Sequence, residues 1–211
     1  MITVALPKGR LSEQTLNILQ DCGISTNIDF ESRKLEFTDL SGEYKFIFVK
    51  PSDVPTYVEY GVADLGVCGK DTLLEAGKNV YELLDLGLGK CRICVAGFSD
   101  FVPKGNLRVA TKYTNIARNY YAAKGENVEI IELHGSIELA PITGLSDVIL
   151  DIVESGKTLK ENNLVVLEEV CKVSARIIAN KVSLKLNSAL IRDLIEKIDE
   201  VQRSKNVNQK F

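Results

Sequence analysis

The 211-residue chain has a single histidine, His134. One imidazole leaves little for a histidine-based metal site or an obvious acid–base pair. Beside Gly135, His134 reads as a partner of backbone groups rather than a general base. Cysteine is sparse and odd in number: Cys22, Cys68, Cys91, Cys94 and Cys171. Such a set reads as reduced, mostly buried thiols. Cys91 and Cys94 form a lone C-x-x-C within a strand-like run. Residues i and i+3 of a strand face opposite sides, which argues against a shared zinc ion. No apolar run approaches the roughly 20 residues that cross a bilayer. Met1–Lys8 lacks the basic start and apolar core of a secretory signal. The expected address is the cytoplasm, with no membrane role. Nor is there an excess of one charge: 26 Lys and Arg against 29 Asp and Glu give a net charge of −3. Nucleic-acid and membrane-surface proteins need a basic excess. A few cations placed together still suit an anionic substrate.

What is present is a core-forming share of apolar residues, 45%, enough for one large domain or two small lobes. Thr3–Leu6 predicts a strand. Leu11, Thr15, Ile18, Leu19 and Cys22 follow helical spacing, with Ser12 as N-cap and Gly23 as stop. Leu35–Phe37 and Tyr44–Val49 predict strands around a turn at Ser41-Gly42. Ser52 caps a helix ending at Gly61, Asp64–Val67 is a buried strand, and Asp71–Ala76 is a short helix closed by Gly77. Cys91–Ala96, Leu107–Thr111, Val128–Leu133 and Val148–Val153 predict strands. Thr114 caps a helix running to Gly125, and Ser136 opens a short one. Tyr113, Tyr120 and Tyr121 on or near the first of these are accounted for by core packing. Leu164–Leu167 and Cys171–Ala179 read as extended, and Ser188–Lys205 as the clearest helix.

Alternating strands and helices predict an α/β fold with largely parallel sheets. An internal echo relates Gly61–Val67 to Gly144–Leu150: a helix-ending glycine, a small residue, an aspartate, then a buried strand. Duplication and a recurring helix-to-strand turn explain it equally well. The pair Gly87 and Gly89 marks a lobe boundary near Leu88–Arg92.

Three segments can carry chemistry. In Asp147–Leu159 a buried strand delivers Asp151 and Glu154, then the turn Ser155-Gly156-Lys157-Thr158 that can open a helix. Free backbone N–H groups at such a turn suit a phosphate, and carboxylates just upstream suit a sugar diol. An ordinary strand-to-helix turn fits the residues about as well. A Walker A loop is excluded, because that motif needs glycine at position 151, where aspartate stands. Gly87-Leu88-Gly89 fails as a dinucleotide fingerprint, since position 92 is arginine and the strand follows it. In the second segment Lys8 and Arg10 flank Gly9 between the first strand and first helix, where ligands of open α/β sheets bind. Both can grip phosphate, although a solvated turn is the commoner fate of such a triplet. The third group is Ser32-Arg33-Lys34 with Lys50 and Lys70, each near a predicted strand end. Surface charge is the ordinary explanation for any one of these lysines.

Taken together, these segments resemble the ATP phosphoribosyltransferase family. The resemblance rests on Leu6–Leu11, Ser32–Leu35, Ser52–Glu59, Ala63–Asp71, Val109–Tyr113 and, most distinctively, Gly135–Asp147 running into Asp151–Leu159. It covers nearly the whole chain in order. It implies an α/β fold of two doubly wound lobes resembling periplasmic-binding-protein type II, with the active site in the cleft between lobes. Residues 1–90 plus 178–211 are expected to form the first lobe and 91–177 the second. The resemblance also implies transfer of the phosphoribosyl group of phosphoribosyl pyrophosphate (PRPP) to N1 of ATP. Arg10 and Arg33 are expected to be catalytic, drawing off pyrophosphate. Lys8, Gly9, Lys34, Lys50, Asp151, Glu154, Ser155, Gly156, Lys157 and Thr158 are expected to bind substrate. Mg²⁺ is expected to ride on substrate phosphates, with no protein ligands. The short length resembles family members that lack the C-terminal regulatory domain. These work as a homodimer within a hetero-oligomer that includes a regulatory subunit similar to histidyl-tRNA synthetase. Ser155 and Lys157 depart from the family's usual Thr and Asn or Arg but keep a hydroxyl or donor. The alternative from another class is a non-catalytic, two-lobed small-ligand binding module.

Overall fold

The computed structural model describes residues 1–26, 28, 33–102 and 105–208. Ser32 lies outside the described residues. The chain divides into two compact units, Met1–Gly89 with Ser174–Phe211, and Lys90–Val173.

The first unit is built on a six-stranded sheet. Its strands are β1 (Ile2–Pro7), β2 (Glu36–Thr38), β3 (Tyr44–Val49), β4 (Leu65–Gly69), β5 (Tyr81–Asp85) and β11 (Ala175–Ala179), in the order β2-β3-β1-β4-β11-β5. Alternation along β1 sends Val4 and Leu6 to one face and Ala5 to the other. The first face packs on α1 (Arg10–Asp21) and α8 (Ser188–Asn208) through Leu16, Leu19, Ile191, Leu194 and Ile198. The second meets Val54 and Val58 of α2 (Val54–Glu59). Two further helices, α3 (Lys70–Ala76) and α7 (Lys181–Leu186), complete the unit. Asn180 ties it together: its carbonyl oxygen accepts from Val182 N and Ser183 N, while its amide donates to the Val58 and Glu59 carbonyls.

The second unit holds a five-stranded sheet ordered β10-β6-β9-β7-β8. These are β6 (Cys91–Gly97), β7 (Leu107–Thr111), β8 (Val128–Glu132), β9 (Val148–Val153) and β10 (Val165–Val173). On one face α4 (Thr114–Ala123) contributes Ile116, Ala117 and Tyr121. On the other, α5 (Leu139–Ile142) and α6 (Lys157–Glu161) cover Ala110, Ile149 and Val153. Cys91 and Cys94 fall on opposite faces of β6, in different clusters.

The internal echo is a shared device. β4 runs parallel beside β1, and β9 parallel beside β7. Asp64 accepts from Thr3 N at 2.7 Å, and Asp147 accepts from Arg108 N at 2.8 Å. The Asp64 N–H donates back to the Thr3 carbonyl, and that of Asp147 to Arg108. The order β3-β1-β4-β11-β5 in one unit repeats as β8-β7-β9-β6-β10 in the other. Arg108 adds a second grip at 2.7 Å on Asp147, and donates to the Gly144 and Leu145 carbonyls. The guanidinium of Arg108 holds the Asp147 carboxyl below the usual aspartate range. A depressed carboxyl contributes stability that is complete above its unfolded pKa, about 3.9, and is lost as pH falls through the folded one. Asp147→Asn is therefore expected to melt a few degrees lower than the parent at pH 7, on the order expected for one modest surface contact. The difference should begin to narrow below about pH 4 and close only at still lower pH. Melting followed by circular dichroism across that range checks this.

Several expectations need correction. The sheets are mixed rather than largely parallel. β11 is antiparallel to β4 and β5, and β6 is antiparallel to β9 and β10. The second boundary falls at Val173/Ser174 and not 177/178, because β11 pairs along its whole length within the first sheet. Ser12 is inside α1. The cap position is Gly9, whose φ of 112° suits glycine, and the Ser12 hydroxyl donates back to the Gly9 carbonyl at 2.6 Å. Ser52 sits in a 3₁₀ turn, Pro51–Asp53, and donates to Asp53 instead of capping α2.

Candidate active site

The second unit contains a hollow where period-two alternation meets small residues. Ile149, Asp151 and Val153 of β9 point to the α5–α6 face. Opposite them on β6, Cys94 pairs with Asp151 and Ala96 with Ile149. These short side chains leave open a cavity of about 270 Å³. It is lined by Asp151 and the unbroken run Glu154-Ser155-Gly156-Lys157-Thr158, together with Glu138.

The run is shaped by Gly156. Its φ of 74° turns the chain sharply from β9 into α6, where it serves as N-cap. The first turn of α6 leaves backbone N–H groups without intrahelical partners. Ser155 accepts a long bond from Lys157 N at 3.4 Å, and Lys157 pairs loosely with Glu161 at 3.8 Å on the exposed side. Glu154, Ser155, Lys157 and Thr158 are exposed, available to a ligand. Asp151 is not. Its side chain is 18% exposed, and burial pushes its carboxyl above the usual range. The bond from Ile152 N at 2.8 Å and Lys112 oppose that rise, and Glu138 adds to it.

In the first unit, cations collect at the carboxyl ends of β1 and β3. Pro7 and Val49 are register partners, and Lys8 N donates to the Val49 carbonyl at 2.9 Å. Lys8, Gly9 and Arg10 thus leave β1 beside Lys50, which follows β3, and all four are exposed. β2 runs antiparallel to β3, so Arg33 and Lys34, just before it, approach the same end of the sheet. The bond from Phe48 N to the Leu35 carbonyl extends that pairing, and Lys34 lies 5.4 Å from the Phe37 ring centroid. Lys70, after β4, is committed to Glu82.

Sequence reasoning assigned no role to Lys112 or Glu138. Both lie in stretches that carry the family resemblance. Glu138 lines the pocket and Lys112 reaches its Asp151, and the second of these contacts depends on pairing between distant strands.

Comparison with known proteins decides the family. A family model described as HisG: ATP phosphoribosyltransferase matches residues 50–200. The chain belongs to the ATP phosphoribosyltransferase family. It is accordingly an enzyme, a pentosyltransferase. A curated ATP phosphoribosyltransferase from Lachnoclostridium phytofermentans is 55% identical over 207 residues, covering 95% of this chain and 96% of the relative. One from Caldanaerobacter subterraneus is 53% identical over 204 residues, covering 95% and 97%. Among solved structures, a chain of the ATP phosphoribosyl transferase (HisG:HisZ) complex from Thermotoga maritima matches with a TM-score of 0.85 and 38% identity. That match covers 97% of this chain and all of the other. A substrate-binding protein of an amino acid ABC transporter matches with a TM-score of 0.58 at 15% identity. That likeness shows the fold alone, the periplasmic-binding-protein type expected from the sequence.

Proposed function

We propose that the β9–α6 pocket holds the ribose and 5′-phosphate of PRPP, and that Arg10 and Arg33 take up the charge of the departing pyrophosphate. Family membership carries the reaction itself, transfer of the phosphoribosyl group to N1 of ATP in the first step of histidine biosynthesis. The observation that carries the pocket assignment is its lining: the carboxylates Glu138, Asp151 and Glu154 beside a run of hydroxyl and backbone donors at Ser155–Thr158.

In this reading the carboxylates accept from the ribose hydroxyls. The first-turn amides of α6, with Ser155, Thr158 and Lys157, donate to the 5′-phosphate. The bond from C1 to pyrophosphate breaks as the bond to adenine N1 forms, through a transition state with oxocarbenium character. The N1 lone pair needs no strong protein base to attack. Catalysis is then positioning plus charge stabilisation. Lys8, Gly9, Lys34 and Lys50 supply donors for the remaining phosphates. Among the described residues no three His, Cys, Asp or Glu side chains gather as a metal site. Mg²⁺ belongs in this account with the substrate phosphates and their water, and no step is assigned to it.

We assign the enzyme to the cytoplasm. Among the described residues no helix is long and apolar enough to cross a membrane. We further propose that it acts as a homodimer within a hetero-oligomer containing a regulatory subunit similar to histidyl-tRNA synthetase. The Thermotoga maritima structure, a HisG:HisZ complex, supports the second kind of subunit in that assembly. The test is incubation with ATP, Mg²⁺ and PRPP, followed by near-ultraviolet absorbance of the adduct, with and without that subunit and histidine. Product formation is expected. Ligand binding without product, even with the subunit present, would leave only a binding module.

A further inference from the structure

The pocket sets an electrostatic problem. Glu138, Asp151 and Glu154 line a space proposed for an anionic sugar phosphate. A carboxylate as buried as Asp151 also resists ionisation unless a cation is placed against it.

The carboxyl end of β7 supplies that cation. Thr111 is fully buried; its hydroxyl donates to the Leu150 carbonyl on β9 at 2.6 Å and accepts from Tyr113 N at 2.8 Å. This clamp spans Lys112 and fixes it beside the residue after Leu150, which is Asp151. Lys112 Nζ lies 3.7 Å from Asp151 Oδ1 and 4.8 Å from the centroid of the buried Tyr113 ring. The Ile152 N–H donates to the same Oδ1. Both holds therefore fall on one oxygen of the carboxylate, which orients the other.

We infer that Lys112 is a positioning residue for the sugar, holding the Asp151 carboxylate turned so that Oδ2 accepts from the ribose. The inference rests on the reading that Asp151 binds the ribose. Lys112 acts through Asp151, and Thr111 acts by placing Lys112.

Steady-state kinetics of Lys112→Met, Lys112→Arg, Asp151→Asn and the Met/Asn double variant test it. Lys112→Met should raise KM for PRPP about fivefold, on the scale of one partly exposed ion pair, with KM for ATP unchanged. Lys112→Arg should restore KM for PRPP to within about twofold, because the charge is kept. The double variant should be no worse than Asp151→Asn alone. Multiplied effects in the double variant would overturn the inference, since Lys112 would then act on its own account. So would parental KM for PRPP in Lys112→Met beside an impaired Asp151→Asn. Normal PRPP kinetics in Asp151→Asn would instead remove the reading of Asp151 itself. Lys112 is exposed, so folding is checked by thermal melting, and Lys112→Gln replaces the Met variant if that one fails to fold.

Discussion

Arg33→Ala is expected to lower kcat by roughly 10²–10³-fold, the usual loss when one donor to a developing negative charge is removed. Arg10→Ala should behave alike. The leaving pyrophosphate gains charge as the C1–oxygen bond breaks, so a guanidinium on it stabilises the transition state more than the bound substrate. The loss should therefore appear in kcat as well as kcat/KM. Both arginines are exposed, Arg10 at the start of α1 and Arg33 just before β2. Removal of either should leave the melting temperature nearly unchanged, which separates a catalytic loss from a folding one. Lysine at either position should recover only part of the rate, because it loses the bidentate geometry. Near-normal turnover of a folded Arg33→Ala protein would take Arg33 out of the reaction.

Gly156→Ala carries the second large effect, and its cause is conformational. A methyl group at Gly156 would meet only Val153, at an ordinary 3.8 Å. Space is therefore available. The φ of 74° is what alanine resists, by about 1–2 kcal/mol. The loop can relieve that strain by moving its amides out of line with a bound phosphate, and each 1.4 kcal/mol lost in binding is about tenfold. KM for PRPP should rise roughly five- to thirtyfold, by that conversion, with the binding of ATP little changed. Gly77→Ala is the control. Gly77 has a φ of 58° at the end of α3, with open space for a methyl group. It should lose a similar amount of stability while its kinetics stay parental. Equal kinetic effects at both glycines would show that the loop has no special part in PRPP binding.

The sequence was most readable where the signal is local. The stripe Leu194 and Ile198 marks α8, alternation marks β3, and a short apolar run marks β9. Ser41-Gly42 forms the β2–β3 turn, with Asp39 accepting from Ser41 N and Tyr44 N. The pocket loop is equally local, five consecutive residues set by one glycine. Less was readable where partners are distant. β5, Tyr-Glu-Leu-Leu-Asp, has neither alternation nor a buried run, because it is an edge strand paired only with β11. β11 sits about 110 residues from β4 in sequence and shows its antiparallel direction only once both strands are placed. Lys112 and Asp151 are 39 residues apart, and only the parallel pairing of β7 and β9 brings them together. The cap of α1 at Gly9 eluded capping rules because the helix starts on a positive-φ glycine and no side chain caps it.

Amide hydrogen exchange with and without PRPP and Mg²⁺ tests the central assignment most directly. Slowed exchange concentrated in residues 151–159, with little change in the matching segment at the end of β4, is the predicted result. Unchanged exchange in 151–159 at saturating PRPP, with protection elsewhere, would contradict it.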